Sequence, residues 1–126
     1  MEQVSKPILL VEDEPEVRSL LKLMLEQSGF EVVVANNGIK AFHELRKRRG
    51  EIALLVTDVD MGHMNGMELA ASVGFHYPGV PILFVSGLPI PLSELDVVAP
   101  GAVLLTKPFS ADTLTGAVRK LVGPAD

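Results

Sequence analysis

Cysteine is absent from this 126-residue chain, which excludes a disulfide framework, a thiol nucleophile and a Cys-based zinc site. Basic residues are outnumbered: 11 Lys and Arg against 16 Asp and Glu leave a formal charge of −5, which argues against non-specific nucleic-acid binding. No apolar run approaches the roughly 20 residues of a membrane span. The start, Met1-Glu2-Gln3-Val4-Ser5-Lys6-Pro7, lacks the basic first region and long apolar second region of a signal peptide. Repeats, linkers and low-complexity segments are missing as well. The expectation is a soluble, cytoplasmic protein with no nucleic-acid partner and no membrane span, its residues 1–126 forming a single domain around one core.

What the chain does have is a regular alternation of short apolar runs and amphipathic segments. The most informative run, Ile52-Ala53-Leu54-Leu55-Val56-Thr57-Asp58, is bounded by Arg48-Arg49-Gly50 and Gly62 and ends abruptly in a carboxylate. It reads as a strand of a parallel sheet, buried on both faces. Asp58 then stands at the carboxyl edge, where open α/β sheets gather ligands and chemistry, although an N-cap for the next helix is a competing role for it. Similar runs are Pro7–Val11, Glu31–Ala35, Pro81–Val85 and Ala102–Thr106. Between the first two, Val17, Leu20, Leu21, Met24 and Leu25 recur at helical spacing, with Pro15 in the first turn and Gly29 as the stop. Further helices are expected over about 39–49, 67–76 and from Ser110 onward. The cluster Arg46-Lys47-Arg48-Arg49 reads as cations in the last turn of its helix, where the dipole favours them. Such alternation implies an α/β fold, a doubly wound five-stranded parallel sheet with helices on both faces.

Five chemistry-bearing residues fall at carboxyl ends of these strands: Glu12 and Asp13 after the first, Asp58 after the third, Ser86 after the fourth and Lys107 after the fifth. Three acids in close quarters repel, so they should raise at least one pKa or recruit a cation. A hard divalent ion suits such a set, and Mg²⁺ accepts carboxylates, waters and a phosphate oxygen. His63, alone in the following loop, carries little weight as a ligand; His43 and His76 read as structural or solvated.

The set Glu12-Asp13, Thr57-Asp58-Val59-Asp60-Met61 with Met64-Asn65-Gly66, Val85-Ser86-Gly87 and Thr106-Lys107-Pro108-Phe109 resembles the receiver domain of two-component response regulators, over nearly the whole chain. The resemblance implies a single flavodoxin-like receiver domain of sheet order 2-1-3-4-5. Asp58 would be the phosphoacceptor for a histidine kinase or phosphotransfer protein. Glu12, Asp13, Asp58 and the backbone carbonyl of Asp60 would hold Mg²⁺. Lys107 would neutralise charge, and Ser86 would donate to the phosphoryl oxygen. The Lys107-Pro108 bond is cis in that family. The implied role is a signalling domain, not an enzyme, which phosphorylation switches toward a downstream protein target.

The chain also departs from that pattern. Leu104 stands three before Lys107, where the family usually has a switch aromatic. Leu88-Pro89-Ile90-Pro91-Leu92 places two prolines where the fourth helix normally begins, so that helix should be short or irregular, about 93–98 at best, and the surface it shares with the last strand and helix remodelled. Asp60 adds a carboxylate two residues past Asp58, with Gly62 where proline is common. Two rivals remain at this point: a receiver-like module that signals without phosphate, and a haloacid-dehalogenase-like phosphatase, whose motif Asp58-Val59-Asp60 also matches. The phosphatase reading is opposed by the acidic pair preceding that strand and by the lack of room for a cap domain.

Overall fold

A computed structural model describes residues 6–60 and 65–123. Five strands, β1 (Ile8–Val11), β2 (Val32–Ala35), β3 (Leu54–Asp58), β4 (Ile82–Ser86) and β5 (Val103–Thr106), alternate with α1 (Pro15–Gln27), α2 (Gly38–Lys47), α3 (Gly66–His76), α4 (Leu92–Val98) and α5 (Ala111–Val122). All strand pairs are parallel, in the order β2-β1-β3-β4-β5. The fold expected from the sequence is the one found.

The strands are apolar at every position because each face of the sheet carries its own core. On one face Leu9, Val11, Leu55 and Phe84 pack with Ala41 and Leu45 of α2, Leu69 and Val73 of α3, and Leu95 of α4. On the other, Ile8, Leu10, Leu54, Val56, Leu83 and Val85 meet Leu21 and Leu25 of α1 and Leu114 and Val118 of α5. Successive residues of a strand thus alternate between two helix layers, following the two-residue period of the pleat.

Helix starts follow ordinary capping chemistry. The side chains of Asn37, Asn65 and Ser110 accept from the backbone N–H three residues on, at 2.8, 2.8 and 3.1 Å. Helix α1 instead has Pro15 in its first turn, and α4 begins after Pro91 with no side-chain cap. The fourth helix is short, as its prolines imply: seven residues, of which only Leu95 is buried.

Helix α2 stops earlier than the sequence suggests. Only Arg46 and Lys47 lie in its last turn; Arg48 is the C-cap, and Arg49 takes a left-handed φ of 56°. Two residues past the C-cap, Gly50 takes a φ of +74°, and a Cβ there would run into the Tyr77 ring.

Candidate functional site

A sheet ordered β2-β1-β3 has its switch point between β1 and β3, because the chain leaves β1 in one direction and later returns on its other side. The carboxyl ends of those two strands deliver Glu12 and Asp58 to the resulting crevice. In register, Val11 pairs with Thr57, so the next residues, Glu12 just past β1 and Asp58 at the end of β3, lie side by side.

Asp58 is 7% exposed, and both of its carboxylate oxygens are engaged. Lys107 Nζ donates to Oδ2 at 2.9 Å, and the backbone N–H of Asp60 donates to Oδ1 at 2.9 Å. Glu12 is fully buried. Its Oε2 accepts the Glu14 N–H at 3.2 Å and its Oε1 lies 3.4 Å from Lys107 Nζ. The ammonium thus bridges two acids that would otherwise repel. Asp13 and the Asp60 carboxylate face solvent.

Burial first, then the neighbouring Asp58 and Asp13, raises the Glu12 pKa to about 7, with the Glu14 N–H partly offsetting the rise. Burial works against the charged form of Lys107, but hydrogen bonding and attraction to Asp58, and then to Glu12, outweigh it and raise that pKa. One acid of the set thus has a raised pKa, as the sequence implied, although burial contributes more to the rise than the crowding of acids does.

Lys107 is carried into the site by β5, and its own N–H donates to the Ser86 carbonyl at 2.7 Å, locking the ends of β4 and β5 together. The Lys107–Pro108 peptide is cis. Ser86 is buried at the end of β4, but its hydroxyl is turned into its own loop: it donates to the Leu88 carbonyl at 2.8 Å and accepts the Leu88 N–H at 3.1 Å. Leu104 is half-buried and packs into the core beneath α3 and α4. His43 and His76 are exposed on α2 and α3. Met61, Gly62, His63 and Met64 lie outside the described residues.

Two contributors escape sequence reasoning. Gly66 opens α3 directly against the end of β3; its N–H donates to the Val59 carbonyl at 2.8 Å, and a Cβ there would collide with the Asp58 carbonyl. Arg18 of α1 reaches back, its Nη1 donating to the Glu12 carbonyl at 2.9 Å. The Asn65-Gly66 motif hinted at the first; nothing in the spacing signals the second.

Among the described residues no three acids converge into a ready-made metal cage. The donor set nevertheless fits a hard cation in its chemistry: Glu12, Asp13 and Asp58 offer carboxylate oxygens alone, with Glu12 pushed toward protonation by burial and then by its acidic neighbours.

Residues 8–119 match the sequence model of the response regulator receiver domain. The chain belongs to that family. It is 34% identical over 118 residues to the response regulator receiver protein CpdR of Brucella abortus, a match spanning 93% of this chain and 97% of the relative. It is also 31% identical over 123 residues to the sensor kinase CckA of Brucella abortus, covering 97% of this chain but 13% of that protein. Among solved structures, TrrA from Thermotoga maritima in complex with Mg²⁺-BeF superposes with a TM-score of 0.82 at 29% identity, covering 92% of this chain and 98% of that one. Receiver domains are signalling domains rather than enzymes, bind Mg²⁺ as a rule, and interact with histidine kinases and downstream effectors. No helix among the described residues is long and apolar enough to cross a membrane.

Proposed function

We propose that residues 1–126 act as one phosphoacceptor unit of a two-component phosphorelay, taking a phosphoryl group from a histidine kinase or phosphotransfer protein onto Asp58 with Mg²⁺ and switching a surface for a partner protein. The observation that carries this reading is Asp58 itself: a nearly buried carboxylate at the sheet's switch point, with an ammonium 2.9 Å from one oxygen and a backbone N–H 2.9 Å from the other.

In the step proposed, an Asp58 carboxylate oxygen attacks phosphorus, an O–P bond forms, and the P–N bond of the donor phosphohistidine breaks with its electron pair returning to the imidazole. The product is an acyl phosphate. Phosphoryl transfer needs positioning and charge neutralisation more than covalent machinery. The Asp60 N–H orients the attacking carboxylate, and Lys107, freed from its ion pair with Asp58, compensates charge on the transferred group. Mg²⁺, held by Glu12, Asp13, Asp58 and the Asp60 carbonyl, would supply further positive charge. The Mg²⁺-BeF complex of TrrA supports that reading.

For Ser86 to donate to a phosphoryl oxygen, its hydroxyl must leave the Leu88 carbonyl. That exchange would release the loop leading to α4, where Leu88, Leu92 and Val97 are 71%, 56% and 84% exposed. An apolar surface of this kind suits a protein partner.

The test is the intact mass of the protein after incubation with a small-molecule phosphodonor, with and without Mg²⁺, beside an Asp58→Asn variant. A Mg²⁺-dependent gain of one phosphoryl group, absent in the variant, is expected. A folded protein that gains nothing in any condition would instead be a phosphate-independent interaction module. Rapid release of free phosphate from many donors would make it a phosphatase.

A further inference from the structure

We infer that Arg18 is a positioning residue for the Glu12-Asp13 acidic pair, holding it in the orientation a divalent cation requires; this rests on the metal role proposed above. Arg18 lies in the first turns of α1, four residues after Glu14, the spacing that normally yields an ion pair on a helix. Among the described residues Arg18 forms no ion pair. Its Nη1 donates instead to the Glu12 backbone carbonyl at 2.9 Å. Residue 12 is thereby tied on both sides, since its N–H donates to the Ala35 carbonyl at the end of β2 at 3.1 Å. Fixing the peptide between Glu12 and Asp13 fixes the direction in which the Asp13 side chain leaves the backbone. Asp13 is exposed, so little packing of its own does that.

The charge of Arg18 makes the inference testable by sign. A guanidinium beside a cation site repels the cation, so if charge were its only influence, removing it would tighten Mg²⁺ binding. If it positions the pair, removing it loosens binding despite the lost repulsion. Groups that orient metal ligands typically contribute about 10- to 100-fold in affinity.

The experiment is Mg²⁺ titration of the full chain by calorimetry above pH 7, for wild type, Arg18→Ala, Arg18→Met and Arg18→Lys, with thermal unfolding of each. We expect Arg18→Ala and Arg18→Met to bind Mg²⁺ about 10-fold more weakly, and Arg18→Lys to recover most of the loss. Arg18→Met keeps the aliphatic stem and serves where Arg18→Ala does not fold. Phosphorylation by a small donor should be slowed at limiting Mg²⁺ and return to the wild-type rate at saturation. Equal or tighter Mg²⁺ binding by the Arg18→Met variant overturns this inference alone. Absence of Mg²⁺ binding by the wild-type protein overturns it together with the proposed metal role.

Discussion

At the carboxyl ends of β1 and β3, the candidate site side chains are held by several independent partners, whereas between residues 87 and 98 Leu95 is the one buried side chain. Glu12 is fixed through its N–H, its carbonyl and both carboxylate oxygens, and Asp58 through both carboxylate oxygens. Helix α4 has no side-chain cap, one buried residue in seven and two exposed apolar side chains, Leu92 and Val97. Local stability follows such differences in burial and hydrogen bonding. The contrast suits the switch proposed above: the part that would perform chemistry is prebuilt, and the part that would change shape is loosely held.

The largest expected effect breaks the rigid side. Gly66→Ala drives a methyl group into the Asp58 carbonyl, a backbone atom that cannot yield without moving the acceptor. A loss of about 3 kcal/mol or more in denaturant unfolding is expected, together with loss of phosphorylation in the fraction that folds. A next, smaller effect compares the two regions directly. Leu25→Ala in α1 should cost about 4 kcal/mol, near the upper part of the range for buried leucines. Leu95→Ala should cost about 2 kcal/mol, because α4 can detach without opening the rest of the core, and Mg²⁺ affinity should survive it. Equal costs would mean that α4 is as firmly integrated as α1.

Acidity probes the buried acid. With the Glu12 pKa raised to about 7 from 4.5, the folded protein binds a proton that the unfolded chain has released. Glu12 therefore favours folding fully below pH 4.5, and in metal-free protein this contribution is lost as pH rises toward about 7. If Glu12 holds the metal as proposed, Mg²⁺ must displace the same proton, so its affinity should fall by up to about tenfold per pH unit below that value. Calorimetric titration at several pH values checks the slope. Asp60→Asn should have the smallest effect: its carboxylate faces solvent while its backbone N–H serves Asp58, so Mg²⁺ affinity should change less than about twofold. A larger change would bring the carboxylate into the site.

Local chemistry explains which features could be read from the sequence. Strands such as Leu54–Asp58 are legible because burial on both faces demands an unbroken apolar run, and strand ends then fix which polar residues share the carboxyl edge. The short α4 is legible because proline cannot join a helix interior. Contacts across the fold are not. The Gly66 approach to Asp58 and the Arg18 bond to Glu12 arise only once α3 and α1 have docked. Leu20 fits the apolar spacing of α1 yet is 52% exposed, since Leu21 and Leu25 fill the interface. The Ser86 hydroxyl could have faced Asp58 or its own loop; the Leu88 backbone, two residues away, offers both a donor and an acceptor.

Peptide-resolved hydrogen exchange, measured on the protein alone and again with Mg²⁺ and a small-molecule phosphodonor, addresses the contrast most directly. Slow exchange is expected in β1 and β3 in both states, with fast exchange across residues 87–99 that changes on phosphorylation. A fourth helix already as protected as α1 and α5, and unaltered by the phosphodonor while Asp58 becomes modified, would contradict the account.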